Sequence, residues 1–152
     1  MKDDIYNVLT EYNNALKEND DIYRIVAKTF GLSECIFWIL YVLRMEKTEL
    51  TQSGICQYLY EPKQTVNSAL KKLEADGLIA LVSGKDKRCK YIRLTERGSL
   101  LAGKTADRVI QAEGRAFSGL SAEEREMLID LLNKYNGLLK EEITSIEKER
   151  KP

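Results

Sequence analysis

The chain contains no histidine, which removes the commonest general base. Glycine-rich phosphate loops are missing as well, and no pair of carboxylates stands apart from solvated helical faces. No catalytic residue is assigned, and no enzyme is expected. Only three cysteines are present, Cys35, Cys56 and Cys89, widely spaced and without a CxxC. That set argues against a disulfide framework and against structural zinc, and it fits a reducing cytoplasm. Neither a metal nor a cofactor is expected. Long apolar runs are also scarce: the longest, Cys35 to Leu43, is closed by Glu34 and Arg44 and falls far short of the roughly 20 residues that span a bilayer. Lys2, Asp3 and Asp4 open the chain without the apolar core of a signal peptide, so a cytoplasmic protein without a membrane partner is expected.

Net charge is lacking too, with 24 basic and 24 acidic residues among 152, but the charges are not evenly spread. From Lys63 to Arg97 nine Lys/Arg face four Asp/Glu, whereas residues 121–147 carry seven acids against three bases and residues 1–62 carry ten against six. A basic middle between acidic ends is the asymmetry expected if only the middle approaches phosphate.

Apolar spacing predicts a mainly α chain with one small β-hairpin. Ile5, Val8, Leu9, Tyr12 and Leu16 begin a long first helix that stops at Gly31. Ser33 caps a second, apolar on more than one face and so placed centrally. Thr51 caps a short helix to Tyr58, and Pro62 starts another in which Val66, Ala69, Leu70 and Leu73 form the stripe and Gly77 the left-handed stop. Leu78 to Val82 and Lys90 to Leu94 read as strands around the turn Ser83-Gly84-Lys85-Asp86-Lys87. Thr95 then caps a helix carrying Leu101, Val109, Ile110 and Phe117, and Ser121 to Glu124 is a capping box opening the last one. Repeats, low-complexity stretches and linkers are not seen, so one domain over 1–152 is expected.

The helix over 62–75 has the chemistry of a groove reader. Its stripe fixes it to a core while Lys63, Gln64, Thr65, Asn67, Ser68, Lys71 and Lys72 are left to face outward. Gln and Asn pair with adenine, Ser and Thr bond either base type, and lysines suit phosphate. By pattern alone an ordinary solvated face fits equally well. The hairpin decides between them: Lys85, Lys87, Arg88 and Lys90 crowd a glycine turn, a thin cationic projection whose guanidinium suits a narrow minor groove. Asp86 is placed to brace Arg88 by an ion pair.

Asp86-Lys-Arg88, then Leu94-Thr95-Glu-Arg-Gly98, together with Leu73-Glu74-Ala-Asp-Gly77-Leu78-Ile79, resemble the wing and the recognition-helix exit of the MarR (multiple antibiotic resistance regulator) family. The resemblance implies a winged helix-turn-helix lobe at about 48–95, flanked by dimerisation helices at about 3–30 and 96–148. The reading helix would be 62–75 and the wing 83–89, with Arg88 entering the minor groove and Asp86 its partner. It further implies a homodimeric repressor of an inverted-repeat operator in double-stranded DNA, released by a small aromatic effector or by oxidation. Phe30, Phe37, Trp38 and Tyr41 are candidates to line an effector cleft, although aromatics on a central helix are more often core. Cys89, between Arg88 and Lys90, is a redox candidate because neighbouring cations favour the thiolate; the other reading is an incidental strand residue. Cys35 and Cys56 read as small buried hydrophobes. Metal-sensing relatives use histidine-rich sites, which this chain cannot build. The alternative function is a winged helix that binds a protein partner without specific DNA recognition.

Overall fold

Four hydroxyl side chains set the helix starts. Ser33 Oγ accepts from Ile36 N–H at 3.3 Å, Thr51 Oγ1 from Gly54 N–H at 3.0 Å, Thr95 Oγ1 from Gly98 N–H at 3.0 Å and Ser121 Oγ from Glu124 N–H at 3.1 Å. Glu124 reciprocates on Ser121 N–H at 2.7 Å, completing the capping box. The computed structural model describes residues 2–149 apart from Lys85 and Lys87, and only the backbone of Lys2 and Asp3. In chain order the described elements are α1 (Lys2–Thr29), α2 (Glu34–Met45), β1 (Leu50–Thr51), α3 (Gln52–Tyr58), α4 (Lys63–Ala75), β2 (Ile79–Ser83), β3 (Lys90–Leu94), α5 (Glu96–Lys104), α6 (Ala106–Ser118) and α7 (Ala122–Glu149). The chain divides into two compact units, 1–110 and 111–152.

In the first unit α2 is the central helix, as its all-round apolar surface predicts. Phe37, Ile39 and Leu40 are fully buried, and the core around α2 is completed by Ile55, Leu59, Val66, Leu70, Leu73, Ile79 and Ile92. The chain bends by 98° between α1 and α2, where Gly31 adopts φ 66° and Leu32 N–H returns to Ala27 C=O at 3.2 Å. Pro62 sits one residue outside α4, capping without a side-chain bond. At the other end Gly77, with φ 68°, donates to Glu74 C=O at 2.9 Å and Leu78 to Leu73 C=O at 2.8 Å, the paired closure of a left-handed stop.

Two features depart from the sequence reading. Leu50 and Thr51 form a third strand, pairing antiparallel with Ile92 and Tyr91, so the hairpin is part of a sheet of order β1-β3-β2. The helix predicted from Thr95 through Phe117 is also broken at Thr105, which has φ −126° and ψ −86°. Thr105 is buried; its Oγ1 donates to Leu101 C=O at 2.8 Å, and its own carbonyl accepts from Arg108 N–H at 3.1 Å to start α6. Arg44 of α2 grips Asp107 just beyond the break with two hydrogen bonds, at 2.8 and 2.6 Å.

The second unit holds the end of α6 and the whole of α7. α7 has no buried residue, and Leu131, Leu138, Ile143 and Ile146 all stand exposed. Among the described residues no single helix is long and apolar enough to cross a membrane.

Candidate nucleic-acid interface

The presentation of α4 follows from its stripe. With Val66, Ala69, Leu70 and Leu73 buried, Lys63, Gln64, Thr65, Ser68, Lys71 and Lys72 are exposed and Asn67 is half-buried at the edge. Lys72 Nζ lies 3.6 Å from Asp76 Oδ2, one turn on, an exposed pair that a phosphate can displace at little cost. Pro62 offers no capping side chain; its carbonyl accepts from the N–H groups of Thr65 at 2.9 Å and Val66 at 3.2 Å, closing the first turn of α4.

One contact on this face was not foreseen. Gln52, the first residue of α3, donates through Nε2 to Asn67 Oδ1. Nothing in the periodicity of either helix signals it, because the two residues are 15 apart and meet only when α3 crosses α4. The single hint is Thr51, whose cap leaves Gln52 exposed at the first helical position.

The wing is shaped by its acid and its glycine. Asp86 Oδ1 accepts from the backbone N–H of Arg88 at 3.0 Å, and Asp86 C=O accepts from Cys89 N–H at 3.0 Å. The ion pair with the guanidinium is looser, 3.9 Å from Arg88 Nε, and the Arg88 side chain is 95% exposed. Asp86 therefore folds the turn first and braces the arginine second. Gly84 has the ring of Tyr91 against its backbone, so a Cβ there would lie 1.9 Å from a ring carbon. Lys85 and Lys87 lie outside the described residues. Further along, Arg93 pairs with Glu49, so part of the basic excess counted from the sequence is neutralised within the fold.

Thr95 links the end of α4 to the wing. Its Oγ1 donates to Gly77 C=O at 2.6 Å while capping α5, and its N–H donates to Leu78 C=O at 3.1 Å. A Cβ on Gly98 would sit 1.8 Å from the Leu78 carbonyl oxygen. The Leu-Thr-x-x-Gly segment thus locks the exit of α4 onto the exit of β3, and only glycine fits the contact.

The other candidates are dispersed. Phe30, Phe37, Trp38 and Tyr41 do form one cluster: the Phe37–Trp38 and Trp38–Tyr41 centroids are each 5.2 Å apart, and Tyr23 packs on Trp38 at 5.2 Å. Phe37 is wholly buried there, whereas Trp38 borders a 310 Å³ cleft shared with Asn19, Asp20, Tyr23, Arg24 and Glu34. Cys89 is half-buried at the end of the wing and Cys35 is buried in the core; burial pushes the Cys35 thiol up, with Glu61 and then Cys56 adding to the rise. Among the described residues no group of three or more potential ligands could hold a metal ion.

The sequence model of the MarR family matches residues 37–88, which contain most of α2, the α3–α4 pair, β2 and the wing as far as Arg88. Over that central third the chain is similar to the MarR family. Two proteins of Bacillus subtilis are similar to it. The HTH-type transcriptional regulator YkoM is 40% identical over 70 residues, 45% of this chain and 46% of that protein. YwoH, another HTH-type transcriptional regulator, is 27% identical over 106 residues, 70% of this chain and 77% of its own length. The chain thus spans just under half of YkoM. A MarR-family regulator from Neisseria meningitidis shares the fold at 23% identity, with a TM-score of 0.75 over 90% of this chain and 96% of that one. MepR of S. aureus, solved as a complex with DNA, aligns with a TM-score of 0.64 at 25% identity, covering 84% of this chain and 93% of MepR. The winged helix of the MarR family accounts for both the three-stranded sheet and the helix order.

Proposed function

We propose that this chain is a sequence-specific, double-stranded-DNA-binding transcriptional regulator, a repressor that holds an inverted-repeat operator as a homodimer. The observation that carries the reading is the outer face of α4: amides, hydroxyls and lysines turned to solvent by a buried stripe on the other side. The exposed Arg88 on the neighbouring wing supports it, as does the likeness to MepR, which was solved with DNA bound. In this reading Gln64, Asn67 and Ser68 meet base edges, Lys63, Lys71 and Lys72 meet phosphates, and Arg88 enters the flanking minor groove. Asp86 holds the wing turn. The DNA-binding lobe is 48–95, and the helices at 3–30 and 96–148 supply the dimer. Support for the dimer comes from the apolar residues exposed on α1 and, separately, on α7, which a second copy of the chain would cover.

Regulation by a small aromatic effector is assigned to the ring cluster on α2, where Trp38 borders a cleft. Trp38 is the sole tryptophan, so its fluorescence reports directly on that site. The test of the DNA-binding reading is titration of duplex from upstream of the protein's own gene at several salt concentrations. Binding that weakens linearly in log salt supports the proposal; no binding at low salt favours a protein-interaction module instead.

A further inference from the structure

We infer that Gln52 is a positioning residue for Asn67, and that the Gln52–Asn67 pair, rather than Asn67 alone, sets base preference at one step of the groove. The inference rests on the assignment of α4 as DNA reader and goes beyond it by adding α3 to the specificity apparatus. Gln52 stands at the first position of α3, exposed, with Nε2 donating to Asn67 Oδ1 across the helix crossing.

This bond is a poor candidate for holding the fold together. The packing of α3 on α4 is supplied by Ile55, Leu59, Val66 and Leu70, all buried. A solvent-exposed neutral hydrogen bond adds little to that, on the order of 1 kcal/mol or less. What the bond does fix is direction. A carboxamide has one oxygen that accepts and one nitrogen that donates two protons. With Oδ1 drawn toward Gln52, the Nδ2 donors of Asn67 are the group left for a base edge. An unrestrained asparagine suits adenine by using both atoms at once, accepting from N6 and donating to N7. Asn67, held by Gln52, instead favours base edges that only accept, the O6 and N7 of guanine or the O4 of thymine, and disfavours the N4 amino group of cytosine.

Selection of bound sequences from a random duplex pool tests this with the full chain, comparing wild type with Asn67→Ala, Gln52→Ala, the double variant, Gln52→Lys and Gln52→Glu. Asn67→Ala should flatten the preference at one symmetric pair of positions by roughly five- to tenfold, the scale of one base contact. Gln52→Ala should flatten the same positions, and the double variant should lose no more than Asn67→Ala alone. Gln52→Lys retains a donor for Oδ1 and should keep the preference. Gln52→Glu can only accept, so it should turn the amide round and move the preference toward the amino-bearing edges of adenine and cytosine. A merely structural Gln52 would shift melting temperature and leave base preference alone. If wild type enriches an operator but Gln52→Ala keeps the preference at the Asn67 positions, or the two losses multiply in the double variant, the inference is overturned while the groove-reading assignment stands. If wild type enriches no sequence, both fall together.

Discussion

Gly98 is where a single atom matters most to the fold. A methyl group there meets the Leu78 backbone oxygen at 1.8 Å, and neither partner is a flexible side chain that can yield. Gly98→Ala should cost about 3 kcal/mol, lowering the melting temperature by roughly 10 °C. Gly103, inside α5, is the contrast: its nearest neighbour to a new Cβ is Asp107 Oδ2 at 3.8 Å, ordinary contact, so Gly103→Ala should be neutral or stabilise by up to about 1 kcal/mol. Thermal melts of the two variants check both. In the proposed DNA-binding reading the decisive group at the wing is the Arg88 guanidinium, which is more weakly hydrated than an ammonium and better suited to a narrow groove. Arg88→Lys should lose most of the DNA affinity that Arg88→Ala loses, above all on A·T-rich flanks, in a fluorescence-anisotropy titration at fixed salt. Asp86→Asn should be mild, because an asparagine oxygen can still accept from the Arg88 backbone N–H that holds the turn. The pattern Asp-x-Arg made the pair visible in the sequence. Its main bond, to backbone rather than guanidinium, belongs to turn geometry and is not written in residue identity.

At the scale of elements, α4 should fail in two distinguishable ways. Lys71→Ala should weaken all DNA sequences alike and reduce the slope of log affinity against log salt by about one unit. Gln64→Ala should leave the slope nearly unchanged and relax preference at individual bases, costing about 1–3 kcal/mol on the best site if the contact is bidentate. A matched pair of salt titrations separates them. Helix ends show why so much of the fold is legible: Ser33, Thr51, Thr95 and Ser121 are caps whose hydroxyls do in the structure what their positions imply, and Gly77, after α4, has the positive φ a helix stop requires. The unforeseen elements lack such local marks. β1 is two residues long and exists only through pairing with Ile92 and Tyr91, some forty positions on, so it carries no periodicity. The break at Thr105 has neither proline nor glycine at the bend, and the apolar stripe from Leu101 to Val109 reads straight through it. The grip of Arg44 on Asp107, and of Gln52 on Asn67, likewise depends on helix crossings that no one-dimensional pattern records.

For the whole molecule, the exposed apolar residues of α1 and of α7 set the expectation of a homodimer. Multi-angle light scattering at micromolar concentration should give twice the 17.4 kDa chain mass, and a monomer would remove the dimeric part of the proposal. In the proposed dimer, two copies presenting identical reading helices would impose a matching symmetry on the DNA, with half-sites about one helical turn apart. The most direct measurement is therefore selection from a random duplex pool with the intact protein, followed by sequencing of what is retained. The expected result is an inverted repeat with half-sites centred about 10 base pairs apart and A·T-rich flanks where Arg88 enters. Retention without enrichment of any sequence, or no retention at low salt, would contradict sequence-specific recognition by α4 and the wing.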